Sequence, residues 1–146
     1  MIDPVEVASR VQHVRSAIAS AGGTHVQLIA VTKTFGNDAI DAAFSAGCDA
    51  IGENYIQELQ AKIKDGLPDI PVHFIGTIQS NKVKHVASSV SLWHTVDRLS
   101  AIGEIAKRSP GASILLQVNT TSWPGSIFRC AASKPDSGRE SAPFTW

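Results

Sequence analysis

The sequence predicts an α/β protein built on a parallel sheet, and two observations carry that prediction. Short apolar runs bounded by turn residues recur at residues 26–32, 49–54, 72–76, 92–96 and 113–118. Runs of this length are the mark of strands buried on both faces. The segments between them carry helical periodicity or helix-capping residues and are joined by short loops, which makes βαβ units. Right-handed crossovers of this kind build either a barrel or a doubly wound sheet, and the pattern alone leaves both open.

Each element has its own signal. Asp3-Pro4 is an N-cap followed by proline at the first helical position, and Val7, Val11, Val14 and Ile18 repeat along one helical face until Gly22-Gly23. The first strand follows and ends on Thr32-Lys33-Thr34. Gly36-Asn37 is a turn with a cap before a helix over 38–46, which Gly47 closes. A third helix over 55–64 stops at Asp65-Gly66 and Pro68. Ser80-Asn81 is placed to cap a helix over 82–88, and Asp97 to cap one reaching Lys107.

Composition bounds the function. The chain has 146 residues, 43% hydrophobic and 18% charged, which suits one globular domain with a real core. Thirteen basic and thirteen acidic residues cancel, so no electrostatic footprint points to nucleic acid or to an anionic membrane. Cys48 and Cys130 form neither a disulfide framework nor a metal-spaced cluster, and a buried, unpaired Cys48 suits a reducing cytosol. With no apolar run near the ~20 residues of a membrane span and no signal-peptide core, the expected location is cytoplasmic.

Polar residues gather where strands end, which is where α/β folds carry their chemistry. These are Thr32-Lys33-Thr34, Gly52-Glu53-Asn54-Tyr55, His73 with the stretch from Gly76 to Lys82, and His94-Thr95-Val96-Asp97. Each has a plain structural reading. Lys33 could snorkel to solvent, His73 could be a satisfied core histidine, Glu53 and Asp97 could be caps, Tyr55 could simply pack, and Lys82 and Lys84 could be solvated. The chemical reading of Lys33 is an amine at a barrel mouth that forms an imine with a carbonyl compound. Strand alternation puts Ile29, Val31 and Lys33 on one face and Leu28, Ala30 and Thr32 on the other, so an inward first face would carry Lys33 into a pocket. No Walker A loop, Gly-x-Gly-x-x-Gly, metal-binding His-Glu-x-x-His or nucleophile elbow is present.

Ala30-Val31-Thr32-Lys33-Thr34, Gly52-Glu53-Asn54-Tyr55 with Gln57-Glu58, the run from His73 to Lys82, and His94-Thr95-Val96-Asp97-Arg98 together resemble the pyridoxal phosphate homeostasis protein family. This family is also called YggS-like or proline-synthetase co-transcribed, and is similar to the N-terminal barrel domain of alanine racemase. The match covers about residues 5–119, with Gln117-Val118-Asn119 resembling the family's next strand. The resemblance implies a partial (β/α)8 TIM barrel of alanine-racemase type, about five of eight βα units. It implies that pyridoxal 5′-phosphate is held as a Schiff base on Lys33, with Asn54 and His73 beside it. It also implies a role in intracellular vitamin B6 balance without established turnover, with pyridoxal-phosphate-dependent apo-enzymes as recipients. An imine needs the free amine, and lowering a lysine from ~10.4 by ~3 units corresponds to ~4 kcal/mol, within reach of burial. An alanine-racemase-type isomerase is the alternative, with Tyr55 and His73 as its nearest second acid–base candidates. A non-binding remnant is a third reading.

Residues 120–146 break the pattern. Five serines, three prolines and two glycines lie between Thr121 and Trp146 with no apolar period, yet Trp123 and Trp146 are there too. The two expectations are a disordered tail, or a truncated or frame-shifted end that replaces the rest of a larger domain. The family's phosphate-holding loops should follow residue 119, and Arg129, Ser137-Gly138-Arg139 and Ser141 are the right types without the strand–loop–helix context. Five strands alone cannot close an eight-stranded barrel, so poor stability or self-association is expected.

Overall fold

The computed structural model describes residues 2–118; the tail expected over 120–146, with Trp123, Arg129, Cys130 and Trp146, lies outside the described residues. The elements run α1 (Pro4–Ser20), β1 (Ile29–Val31), α2 (Asn37–Ser45), β2 (Ala50–Glu53), α3 (Ile56–Asp65), β3 (Val72–Phe74), a 3-10 helix (Ser80–His85), β4 (Leu92–Val96), α4 (Leu99–Arg108) and β5 (Ser113–Leu116). All five strands are parallel and stand in the order β1-β2-β3-β4-β5. A doubly wound sheet reverses its order at a switch point, whereas a barrel wall never does. The order therefore resolves the sequence's ambiguity in favour of a barrel wall, which is not closed among the described residues.

The two faces of this wall differ. Toward the helices, Ile51 and Glu53 of β2, Val72 and Phe74 of β3, and Trp93 and Val96 of β4 are all buried, and they meet Ile40, Leu59, Val83, Val86 and Ile105 from the other layer. Phe74 and Trp93 pack at 5.5 Å between ring centroids, at the centre of this core. The other face carries Ile29, Val31 and Ile75 around Gly52, and it leaves Val31 and Leu115 about half exposed. Burial toward the helices with only partial exposure on the other side suits a wall whose second face is a barrel interior.

Local chemistry explains where elements start and stop, and where they depart from expectation. The Asp3 carboxylate accepts from the amides of Val5 and Glu6, so the predicted Asp3-Pro4 start of α1 is as read. Its apolar face is only half-buried, against α2, and Val14 is 40% exposed. The helix expected at 82–88 is instead a 3-10 helix beginning at Ser80. Val83 within it and Val86 at its C-terminal cap are both fully buried, and three residues per turn brings a spacing of three onto one edge. Asp97 does not cap α4; its carboxylate pairs with Arg98 at 2.7 and 2.9 Å. Asn37 opens α2 but its side chain serves another helix, donating to the carbonyls of Lys62 (3.1 Å) and Gly66 (2.7 Å) at the end of α3. Gly76 is required by contact, because a Cβ there would run into the Asn54 carbonyl.

Asn37→Ala removes both bonds to the α3 carboxyl end and should cost roughly 1–2 kcal/mol. The check is a urea titration, in which the midpoint falls and the slope is unchanged.

Candidate functional site

The C-terminal ends of β1 to β4 lie along one edge of the sheet, and the polar motifs converge there. Val31 stands opposite Gly52, so Lys33 and Asn54, two residues further along each chain, leave adjacent strands at the same level. Lys33 is not in the strand. It is exposed in a turn closed by the Phe35 amide donating to the Thr32 carbonyl at 3.2 Å. Alternation holds as far as Thr32, which is buried on the helix side, and the chain then turns. The burial expected to free the Lys33 amine is therefore not supplied by residues 2–118.

Thr34 occupies the third position of this turn with φ of 69°. That region suits glycine or asparagine, and for a β-branched residue it costs of order 1–3 kcal/mol. The turn is held by a buried ionic cluster that the sequence reading missed. Lys62 of α3, 5% exposed, donates from Nζ to the Thr32 carbonyl (2.9 Å), Glu53 Oε1 (2.8 Å) and Glu58 Oε1 (2.7 Å). The Thr32 hydroxyl donates to the same Glu53 oxygen at 2.6 Å, and the Thr34 amide donates to Glu58 Oε1 at 2.6 Å. Glu53, fully buried, is thus a strand-borne anion facing α3 and not a cap; its Oε2 has no partner among the described residues. One signal was visible: Glu58 and Lys62 are spaced i,i+4 in the favourable order.

His73 and His94 sit on adjacent strands with Nδ1 and Nε2 3.3 Å apart, hydrogen-bond distance for a pair of imidazoles in which either ring can donate. His73 is 7% exposed, and burial, then the His94 ring, hold its pKa below the usual histidine value of 6.5. Thr95, next to His94, also has a positive φ of 54°, and its hydroxyl donates to the Gly76 carbonyl. Asn54 is half-buried and lines a cavity of about 290 Å³ with Tyr55, Gln57, Thr77, Gln79 and Lys82. Lys82 is partly buried in that wall, not simply solvated, while Tyr55 is 51% exposed. Behind the edge, Asp49 accepts from the Leu28 amide and from Arg15; the amide first and the guanidinium second hold its carboxyl below the usual range. Cys48 is buried, without a disulfide partner among the described residues, and burial pushes its thiol up.

The fold and this edge define a βα-barrel-type protein with a lysine, an asparagine and a histidine pair at its strand ends. No family model matches the chain. It is 38% identical over 130 residues to the pyridoxal phosphate homeostasis protein of Vibrio alginolyticus, covering 79% of this chain and 56% of that protein. For the Escherichia coli protein of the same name the identity is 34% over 128 residues, covering 78% and 55%. PipY of Synechococcus elongatus, solved with pyridoxal phosphate bound, superposes with a TM-score of 0.62 at 34% identity, covering 69% of this chain and 47% of that one. Solved without the cofactor, it superposes at 0.66, covering 81% and 56%. This chain is a homologue of the pyridoxal phosphate homeostasis proteins, and it spans about half the length of the curated relatives it matches.

Lys62→Met should cost about 3–5 kcal/mol, because it strands the Glu53 carboxylate in the core; Glu53→Gln paired with Lys62→Met should recover much of that loss in urea titrations. The unfolded chain protonates His73 before the folded one does. The stability that His73 contributes is therefore fully present above about pH 6.5 and is lost as pH drops through the window below it. His73→Gln should flatten that part of a plot of urea midpoint against pH.

Proposed function

We propose that this chain binds pyridoxal 5′-phosphate through a Schiff base on Lys33, with Asn54 and His73 beside it, and serves intracellular vitamin B6 homeostasis. The observation that carries the reading is the 34% identity to a protein solved with that cofactor bound. The strand-end residues fit the aldehyde half of the group. Lys33 offers a primary amine open to solvent, and the cavity beside Asn54 is one strand away. When bound, the cofactor supplies an aldehyde carbon that accepts a primary amine.

The chain's own residues do the rest. Lys33 provides the attaching amine on a turn whose backbone is held at both flanking residues. The His73–His94 pair offers one ring proton and one free lone pair on the same face as Gly52, the donor and acceptor that a hydroxyl-bearing aromatic ring needs. Asn54 supplies a carboxamide, and Lys82, Gln57 and Gln79 furnish a cation and two further amides at the cavity wall. Delivery to pyridoxal-phosphate-dependent apo-enzymes, in the cytoplasm, completes the reading. Among the described residues no helix is long and apolar enough to cross a membrane.

Incubation with pyridoxal phosphate, borohydride reduction and peptide mapping test this. Label concentrated on Lys33, and lost in Lys33→Ala, is the expected outcome. Equal labelling of Lys33, Lys64 and Lys107 would show only the general reactivity of surface amines and would remove the basis for the proposal.

A further inference from the structure

The geometry points to Glu58 and Lys62 as positioning residues for Lys33, acting through the backbone of the turn that carries it. This rests on the reading of Lys33 as the attaching amine. Three observations converge. Residues on both sides of Lys33 are gripped from α3: the Thr32 carbonyl by Lys62 Nζ and the Thr34 amide by Glu58 Oε1. Both grips meet in one ionic cluster, since Lys62 also bonds Glu58 and the fully buried Glu53 of β2. The residue they restrain, Thr34, stands in a left-handed conformation that a threonine does not adopt unaided.

A strained conformation persists only where its surroundings over-determine it. In this turn the surroundings are the two side chains of α3. Released from Glu58, Thr34 relaxes toward negative φ, and the Cα–Cβ direction of Lys33 changes with it. The side chain of Lys33 is exposed and makes no hydrogen bond or ion pair among the described residues, so backbone placement is the main constraint on where its amine goes. The cluster therefore acts on a reaction it never touches. Glu58 is the informative handle because it is partly exposed, whereas Lys62 and Glu53 belong to the core.

The test uses the full chain as wild type, Glu58→Ala, Glu58→Gln, and Glu58→Ala combined with Thr34→Gly. Two quantities are read: amide hydrogen exchange at Thr34, with no cofactor present, and the initial rate of borohydride-trapped pyridoxal phosphate on Lys33. Far-UV circular dichroism and exchange in β2 report whether each variant is folded. In Glu58→Ala, Thr34 exchange should speed up about tenfold or more while β2 is unchanged, as expected for losing a hydrogen bond to a charged acceptor. Labelling should slow several-fold. Glu58→Gln, which keeps an acceptor oxygen, should restore both. Thr34→Gly in the alanine background should restore labelling, because glycine adopts the left-handed turn without help.

Unchanged Thr34 exchange in Glu58→Ala overturns the clamp, as does faster exchange with a wild-type labelling rate. Were wild-type Lys33 to take no label, the carrier reading would fall, and with it the clamp's role in placing a reactive amine. The exchange data would then decide separately whether the clamp holds the turn.

Discussion

The contact on which the sheet edge depends is the buried ammonium of Lys62. It joins three elements: the end of β1, thirty residues away, through the Thr32 carbonyl, the end of β2 through Glu53, and the first turn of its own helix α3 through Glu58. Desolvating such a group is expensive, and its three acceptors together offset that cost. Once it is in place, β1 cannot slide along β2 without breaking the Thr32 hydroxyl bond to Glu53 as well. The apolar core would tolerate small shifts of one strand against another. A charge with three fixed partners would not, so it sets register where packing alone sets only proximity.

The same cluster links stability and site. Its outer side reaches the turn that bears Lys33, while its inner side lies beside the apolar core that includes Leu59 and Ile51. The histidine pair has no such anchor among the described residues. His73 and His94 hold each other, and the backbone around them is shaped by Thr95 and Gly76, the latter pressed against Asn54. The edge thus has two differently built halves: a buttressed one at β1 and β2 centred on a buried ion pair, and a closely packed one at β3 and β4 centred on two imidazoles.

What could be read from the sequence follows from how local each cause is. Periodicity, caps and glycine stops are written within a few residues, so β4 at Leu92–Val96 and the Asp3-Pro4 start of α1 were legible. The 3-10 helix was not, since Ser80-Asn81 looks like an α-helix start and only the core decides that Val83 and Val86 share an edge. The convergence of the four motifs at one edge was legible too, because parallel strands put all their carboxyl ends together. Two things were hidden. The chain turns at Thr32, so Lys33 leaves the strand's alternation. And Glu53 meets Lys62, which depends on which face of β2 the third helix covers. Both are consequences of three-dimensional placement, and no spacing rule reports them.

The strand order has a consequence for how the molecule comes into being. Each strand pairs with the one that precedes it, and partners are separated by about twenty residues at every step, from Ile29 and Ala50 to Leu92 and Ser113. No pairing along this wall waits for a distant segment. During synthesis, every new strand emerges with its pairing partner already made, and loop closure costs nearly the same entropy each time. A wall ordered this way can be assembled in the direction in which it is translated.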